Sequence, residues 1–106
     1  AEDITKANTV FHNYMMMKHE VIHIGRALEN DIIFYNKLAS KHHAVLFWEN
    51  EKLFIQDENS TNGVFVNGTR IDKATLKAGD IIYIFGLRII RASAWGLCRL
   101  RISIRT

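Results

Sequence analysis

Residues 57–72 read DENSTNGVFVNGTRID and contain the dipeptide Asn-Gly twice, at 62–63 and at 67–68. Asn-Gly flanked by β-prone residues is the strongest short-range signal for a hairpin, because both residues adopt positive φ at low cost. Residues 64–66, between the two dipeptides, are too few to serve two ordinary hairpins. The second dipeptide is followed by another β-prone triplet, which predicts a two-residue hairpin turn. The first, entered through Ser-Thr at 60–61, is predicted to be a loop, and loops on a β scaffold commonly carry function.

The rest of the chain has the pattern of an all-β domain. Its 106 residues suit one domain, 48% of them are hydrophobic, and proline is absent. Segments rich in Ile, Val, Phe, Tyr and Trp alternate with turn residues, and none keeps a 3.6-residue apolar period over three turns. We predict strands at residues 10–17, 21–24, 31–34, 44–48, 53–56, 64–66, 69–71, 81–84 and 87–91. Many short strands at close spacing are typical of a sandwich or barrel.

Charge and cysteine content narrow the setting of the protein. The formal net charge of +3 would suit an anionic partner, but no basic stripe indicates nucleic acid. The single cysteine, Cys98, excludes an internal disulfide and favours a reducing compartment, and we interpret it as a small buried hydrophobe. No apolar run approaches the roughly 20 residues that span a bilayer. We therefore expect a cytoplasmic protein, or the cytosolic domain of a membrane-anchored one, without membrane insertion by this segment.

Enzymatic and metal-binding functions find little support in the sequence. No nucleophile–base pair with an orienting acid is evident, and no pair of carboxylates stands out for acid–base catalysis. The five histidines match no zinc spacing, and no cysteine pairs with them. We expect neither catalysis, nor a cofactor, nor a bound metal.

Two further loops carry unusual polar residues. Gly25-Arg26 follows a predicted strand, and Ser40-Lys41-His42-His43 precedes another. With Ser60-Thr61-Asn62, these loops offer a guanidinium, an ammonium, hydroxyls and an amide. Such a set suits a phosphate, because Arg supplies a planar fork, Lys a point charge, and the others neutral donors.

In this order, the segments resemble the forkhead-associated (FHA) domain. The family pattern of Gly-Arg, Ser-Arg-x-His, Ser-Thr-Asn-Gly and Asn-Gly stands here at 25–26, 40–43, 60–63 and 67–68. The stretch LKAGDI at 76–81 is also similar to the family's usual sequence. The resemblance covers roughly Tyr14 to Ala92 and implies a β-sandwich of about eleven mostly antiparallel strands, with the ligand loops at one end. It further implies recognition of phosphothreonine on a partner protein.

The resemblance also implies a role for each motif residue. Arg26 would contact the phosphate or support its loop, and Ser40 would donate its hydroxyl to a phosphate oxygen, with Lys41 beside it. Thr61 would shape the pocket for the threonine methyl group, and Asn62 would hydrogen-bond the ligand backbone. The implied scaffold residues are Gly25, His43, Gly63, Asn67 and Gly68.

Simpler readings of these residues remain open from the sequence alone. Arg26 and Lys41 could be solvated surface charges, and Ser40 could cap a turn. Thr61 could be only a turn hydroxyl, and Asn62 only a residue at positive φ.

The chain departs from the family pattern in two places. Lys41 stands where the family commonly has Arg, which keeps the charge but loses the bidentate fork. Residues 93–106 extend beyond the motif-bearing core, and their apolar residues alternate with Arg99 and Arg101 in the two-residue period of a half-buried strand. This tail could add to a sheet edge, support a homo-oligomer, or begin the next segment of a longer chain.

The chain begins at Ala1 rather than Met, which fits either a processed protein or a piece of a longer one, and we expect a larger parent chain. Residues 79–90 also resemble FHA regions of FtsK-like membrane ATPases in bacterial type VII secretion. We therefore expect one FHA-like domain over 1–106 that binds a threonine-phosphorylated protein or peptide. The competing hypothesis is a structural assembly domain whose phosphopeptide loops are vestigial.

Overall fold

The computed structural model describes residues 2–3, 12–92 and 98–104, and these form twelve β-strands. Their bounds are β1 Glu2–Asp3, β2 His12–Met16, β3 Ile22–Gly25, β4 Ile32–Ile33, β5 Ala44–Glu49, β6 Lys52–Asp57, β7 Val64–Val66, β8 Thr69–Ile71, β9 Lys73–Leu76, β10 Ile81–Ile84, β11 Leu87–Ala92 and β12 Cys98–Ile104. Across these ranges, no helix has the length and apolarity needed to cross a membrane.

The strands form two six-stranded sheets. One has the order β1-β4-β3-β5-β6-β9 and the other β2-β12-β11-β10-β7-β8. All described pairings are antiparallel except β1 with β4 and β3 with β4. The all-β sandwich of mostly antiparallel strands predicted from the sequence is therefore confirmed.

The core lies between the two sheets. Apolar side chains of both sheets point inward, so that Leu46, Ile55, Ile82 and Ile89 are all at most 1% exposed. Ala44, the first residue of β5, pairs with Ile24 of β3 and with Asp57, the last residue of β6, so the loops β3–β4, β4–β5 and β6–β7 lie at the same end of the sheet. Three separate stretches of irregular backbone therefore lie side by side at this end of the sandwich.

The second Asn-Gly makes the predicted hairpin turn. Asn67 has φ 49° and Gly68 has φ 85°, and β7 pairs with β8 directly across them. A second two-residue turn, at Asn50 and Glu51, joins β5 to β6 with positive φ at both positions. Positive φ at both central residues matches the right-handed twist of paired strands.

Two strands, β9 and β1, were not predicted from the sequence. β9 pairs with β6 at the edge of its sheet and buries only Leu76 fully. An edge strand covered on one face carries little apolar signal, and Lys73-Ala-Thr-Leu76 contains just one large hydrophobe. β1 consists of two acidic residues, and its alignment comes from pairing with β4 rather than from its own β propensity.

Residues 98–104 of the tail form strand β12, and this strand does not lie at a sheet edge, which was one of the alternatives left open by the sequence. β12 lies between β2 and β11, with pairings to both. Cys98, Leu100 and Ile102 are at most 5% exposed and pack in the core, while Arg99 and Arg101 point outward. Burial raises the pKa of the Cys98 thiol, in keeping with its interpretation as a small hydrophobe. Residues 93–97 and 105–106 lie outside the described residues.

Candidate functional site

The side chains selected from the sequence as ligand contacts surround one open depression of about 590 Å³ at the loop end of the sandwich. Its lining consists of Arg26, Lys37, Leu38, Ala39, Ser40, Lys41, Thr61 and Asn62. All five predicted contact residues are in that set, and no Asp or Glu is. The depression is therefore lined by three cations and several hydrogen-bond donors.

Ser40 links two of the loops. Its Oγ accepts a hydrogen bond from the backbone N–H of Thr61 over 3.1 Å. A hydroxyl that accepts in this way keeps its own hydrogen for another acceptor. Because Ser40 is half-buried and lines the depression, that hydrogen is available to a ligand.

Arg26 supports the loop that carries Ser40. Its backbone N–H donates to the carbonyl of Ser40 over 3.0 Å, and its Nε donates to the carbonyl of Ala39 over 3.1 Å. These bonds fix the guanidinium at the rim of the depression. A guanidinium has five N–H donors, so the other four are not consumed by this support.

Gly25 allows the close approach that positions Lys41. A Cβ on Gly25 would lie 2.2 Å from the carbonyl oxygen of Lys41, so no other residue fits without displacing this loop. The same carbonyl accepts hydrogen bonds from the N–H of Ala27 at 3.1 Å and from Nδ2 of Asn30 at 2.7 Å. The backbone of Lys41 is thus held inward, while its side chain is exposed beside the depression.

Asn30 is a structural residue that sequence reasoning missed. It is 1% exposed, and its Nδ2 also donates to the carbonyl of Ala27 over 2.8 Å. No local pattern distinguishes it from an ordinary turn asparagine, because its partner Lys41 is distant in sequence. Lys37 and Leu38 were missed for a different reason, because they precede the motif, which begins at Ser40.

His43 joins the loops from within the core. It is fully buried; its Nδ1 accepts from the N–H of Ser40 at 3.0 Å, and its Nε2 lies 2.8 Å from the carbonyl of Gly63. An accepting Nδ1 requires the proton on Nε2, so the ring donates to Gly63. His43 therefore braces both loops of the depression, whereas the adjacent His42 is exposed and faces Glu29.

Side chains of the Ser60–Gly63 loop hydrogen-bond both within the loop and to the neighbouring β4–β5 loop. Ser60 Oγ accepts from the N–H of Gly63 at 3.0 Å, and Asn62 Nδ2 donates to the carbonyl of Leu38 at 2.6 Å. Positive φ falls on Asn59 and Gly63, so the simpler reading of Asn62 as a positive-φ residue is wrong. Asn62 instead connects this loop to the one that carries Ser40.

Asn67 and Gly68 are not brought to the depression. Asn67 accepts from the N–H of Ile81 and donates Nδ2 to Asp80, each over 3.0 Å. Hydrogen bonds to Asp80, first from the backbone N–H of Lys77 and then from Asn67, hold the pKa of its carboxyl below the usual range. This network stabilises the hairpin and the Lys77–Asp80 turn.

The arrangement defines an anion-binding module on a β-sandwich. No cluster of three metal-ligating side chains is found within the described part of the chain. A family model for the FHA domain matches residues 22–85, which is more than half of the sequence. The chain therefore belongs to the FHA family, whose members are binding modules.

Relatives of known name are similar to parts of the chain. The ABC transporter ATP-binding/permease protein Rv1747 of Mycobacterium tuberculosis is 44% identical over 71 residues, which are 67% of this chain and 8% of the transporter. The transcriptional regulatory protein EmbR of the same species is 44% identical over 62 residues, which are 58% of this chain and 16% of EmbR. The chain thus spans only a small part of either relative.

Solved structures agree with the fold. The FHA-2 domain of Rv1747 superposes with a TM-score of 0.61 at 42% identity, over 74% of this chain and 72% of that domain. Mycobacterium tuberculosis EmbR, in complex with a low affinity phosphopeptide, gives a TM-score of 0.62 at 31% identity, over 81% of this chain and 20% of EmbR.

Proposed function

We propose that this domain binds a phosphothreonine-containing segment of a partner protein in the depression at the loop end. The observation that carries the proposal is the hydrogen bond from the N–H of Thr61 to Ser40 Oγ, which directs the Ser40 hydroxyl hydrogen to an external acceptor. Arg26 and Lys41 line the same depression and supply the positive charge. The chain therefore acts as a docking module for kinase-marked partners, not as a catalyst.

The chemistry favours a phosphate over a carboxylate. A phosphorylated threonine carries about −1.5 to −2 charges at neutral pH and three acceptor oxygens. Arg26 and Lys41 pair with the charge, and the Ser40 hydroxyl donates to one oxygen. Hydrogen bonds to charged groups contribute about 1.5–3 kcal/mol each, so a carboxylate with fewer acceptors and less charge binds more weakly.

The remaining lining residues suit the rest of the ligand. Thr61 is exposed beside Ser40 and contacts the threonine methyl group. Asn62 uses one Nδ2 hydrogen on Leu38 and keeps its second hydrogen and its Oδ1 for the ligand backbone. The complex of EmbR with a phosphopeptide supports the proposal, because EmbR is 31% identical to this chain in the aligned region.

A phosphothreonine peptide library tests the proposal. The wild-type chain selects phosphorylated peptides over their unphosphorylated forms, and Arg26→Ala reduces the affinity for a selected peptide by about tenfold or more. Arg99→Ala is the matched control, because it removes an exposed arginine of strand β12, and it leaves binding unchanged. Binding that ignores the phosphate would refute the proposal.

Assembly through the tail is not favoured. β12 is already paired on both sides, so it has no free edge to offer a neighbouring molecule. We propose instead that the chain is the FHA module of a larger protein, in the cytosol or on the cytosolic side of a membrane, as similarity to part of a transporter suggests. The FtsK-like host stays a prediction.

A further inference from the structure

Two arginines and two aromatic rings form a row across the outer surface of the β2-β12-β11-β10-β7-β8 sheet. Strand register places Arg70 opposite Phe65, Phe65 opposite Tyr83, and Tyr83 opposite Arg88. Directly opposed residues share a face of the sheet. Because neighbouring strands lie about 4.8 Å apart, the arginine row spans about 14 Å from Arg70 to Arg88.

The arginine row lacks charge compensation. The six strands of this sheet contain no Asp, Glu or Lys, and neither Arg70 nor Arg88 forms an ion pair with another described residue. Tyr83 is 41% exposed despite its aromatic ring. On the same side of the sheet, Arg101 is already engaged in a contact. The row therefore presents positive charge and apolar surface together.

The composition of the row indicates a polypeptide partner. Protein interfaces are enriched in Arg, Tyr and Phe and depleted in Lys, Glu and Asp, which is the composition found here. A site for anionic lipid or for the duplex DNA backbone depends mainly on accumulated Lys and Arg charge, and it does not need two aromatic rings between two guanidinium groups. Charge complementarity requires that the polypeptide be acidic.

The row is continuous with the depression. Arg70 lies against Gly63, where its Nε is 2.7 Å from the position that a Cβ would occupy, and Gly63 directly follows Asn62 of the depression lining. A ligand chain leaving the depression past Asn62 therefore meets Arg70 first and can continue over the rings toward Arg88.

We propose that the partner segment carries carboxylates near its phosphothreonine, about four residues apart, which pair with Arg70 and Arg88 while the intervening residues cover Phe65 and Tyr83. The spacing follows from the span of the row, since an extended chain covers about 3.3 Å per residue. This inference rests on phosphothreonine binding in the depression and extends it to a second, acidic determinant of the same partner.

Peptides with matched tails test the inference. A phosphothreonine peptide selected from the library is extended by a ten-residue tail, either at its N-terminus or at its C-terminus. In each case one version of the tail carries Glu at two positions four residues apart, and the matched version carries Gln at the same positions. In 50 mM salt, one of the two Glu-tailed peptides binds about fivefold more tightly than its Gln counterpart. The gain shrinks in 500 mM salt, because the exposed charges are screened.

Variants separate this inference from the function on which it rests. Arg88→Ser removes the gain from the Glu tail but leaves the affinity of the Gln-tailed peptide unchanged, because Arg88 is remote from the depression. Arg99→Ser, on the same sheet but outside the row, is the control and keeps the gain. Arg26→Ala weakens both peptides alike.

Three results would overturn the inference while phosphate-dependent binding stands. The first is equal affinity of Glu and Gln tails at low salt, and the second is a gain that survives Arg88→Ser. The third is binding of phosphatidylglycerol vesicles or duplex DNA that Arg88→Ser abolishes while Glu tails add nothing. Loss of phosphate dependence itself would instead refute the proposed function.

Discussion

The backbone N–H of Thr61 donates to Oγ of Ser40 over 3.1 Å, and this bond joins two loops that are 21 residues apart in sequence. It fixes the side chain of Ser40 as an acceptor toward the protein and a donor toward the depression. The same two loops are joined again by Asn62, whose Nδ2 reaches the carbonyl of Leu38. The geometry of the proposed phosphate site is thus set before a ligand arrives.

Replacing His43 should destabilise the fold and weaken binding together. His43→Ala removes the hydrogen-bond partners of the half-buried N–H of Ser40 and of the buried carbonyl of Gly63. Each unsatisfied group costs about 1–3 kcal/mol, so for the two groups we expect a loss of about 2–6 kcal/mol in the free energy of unfolding. Denaturant titration measures the loss. The adjacent exposed histidine is the control, and His42→Ala should change stability by less than about 0.5 kcal/mol.

Gly25→Ala should disturb the depression by sterics alone. The new Cβ would meet the carbonyl of Lys41 at 2.2 Å, and the loop must move to relieve the clash. We expect a destabilisation of about 1–3 kcal/mol and a loss of phosphopeptide affinity. Gly68→Ala is the comparison, because a Cβ there has open space and meets only the strain of positive φ. The Gly68→Ala variant should bind the phosphopeptide as tightly as the wild type. An equal loss of affinity in both variants would contradict the steric account.

The tail strand should be indispensable for folding. Leu100→Ala empties a fully buried position of β12 and should cost about 2–5 kcal/mol, whereas Arg99→Ala, on the outer face, should cost less than about 0.5 kcal/mol. Thermal unfolding of both variants measures the difference. Deletion of residues 93–106 should yield an unfolded chain, since β2 and β11 lose their common neighbour. A folded truncated domain would show that the core ends at Ala92.

Acid should weaken the turn that holds the Asn67–Gly68 hairpin. The folded-state pKa of Asp80 is depressed by its hydrogen bonds from Lys77 and Asn67, so its stabilising contribution is complete above the unfolded pKa of about 3.9. That contribution is lost as pH falls through the lower folded value. Denaturant titrations of wild type and Asp80→Asn should therefore differ at pH 6 and converge near pH 2. A constant difference over this range would contradict the assignment.

Local signals were enough for much of the fold and of the site. The hairpin at Asn67-Gly68 follows from positive φ, and the inward positions of β12 follow from the alternation of Leu100 and Ile102 with arginines. Five of the eight lining residues could be selected because their side chains belong to motifs continuous in sequence. Strand β9 could not be predicted, because a single buried leucine gives no periodic signal.

Long-range relationships were out of reach of the sequence. The place of β12 between β2 and β11 depends on pairing partners more than 80 residues apart in one case, which alternation alone does not specify. Asn30 bonds the carbonyl of Lys41, and a backbone acceptor leaves no trace in residue types.

The most direct test of the central claim is the affinity of the wild type and Ser40→Ala for one phosphothreonine peptide, measured by calorimetry with Ser103→Ala as control. The account predicts that Ser40→Ala binds about tenfold to a hundredfold more weakly, because one hydroxyl donor to a charged oxygen is lost. Ser103→Ala should bind like the wild type. Equal affinity of all three proteins, or equal binding of the unphosphorylated peptide, would contradict the account.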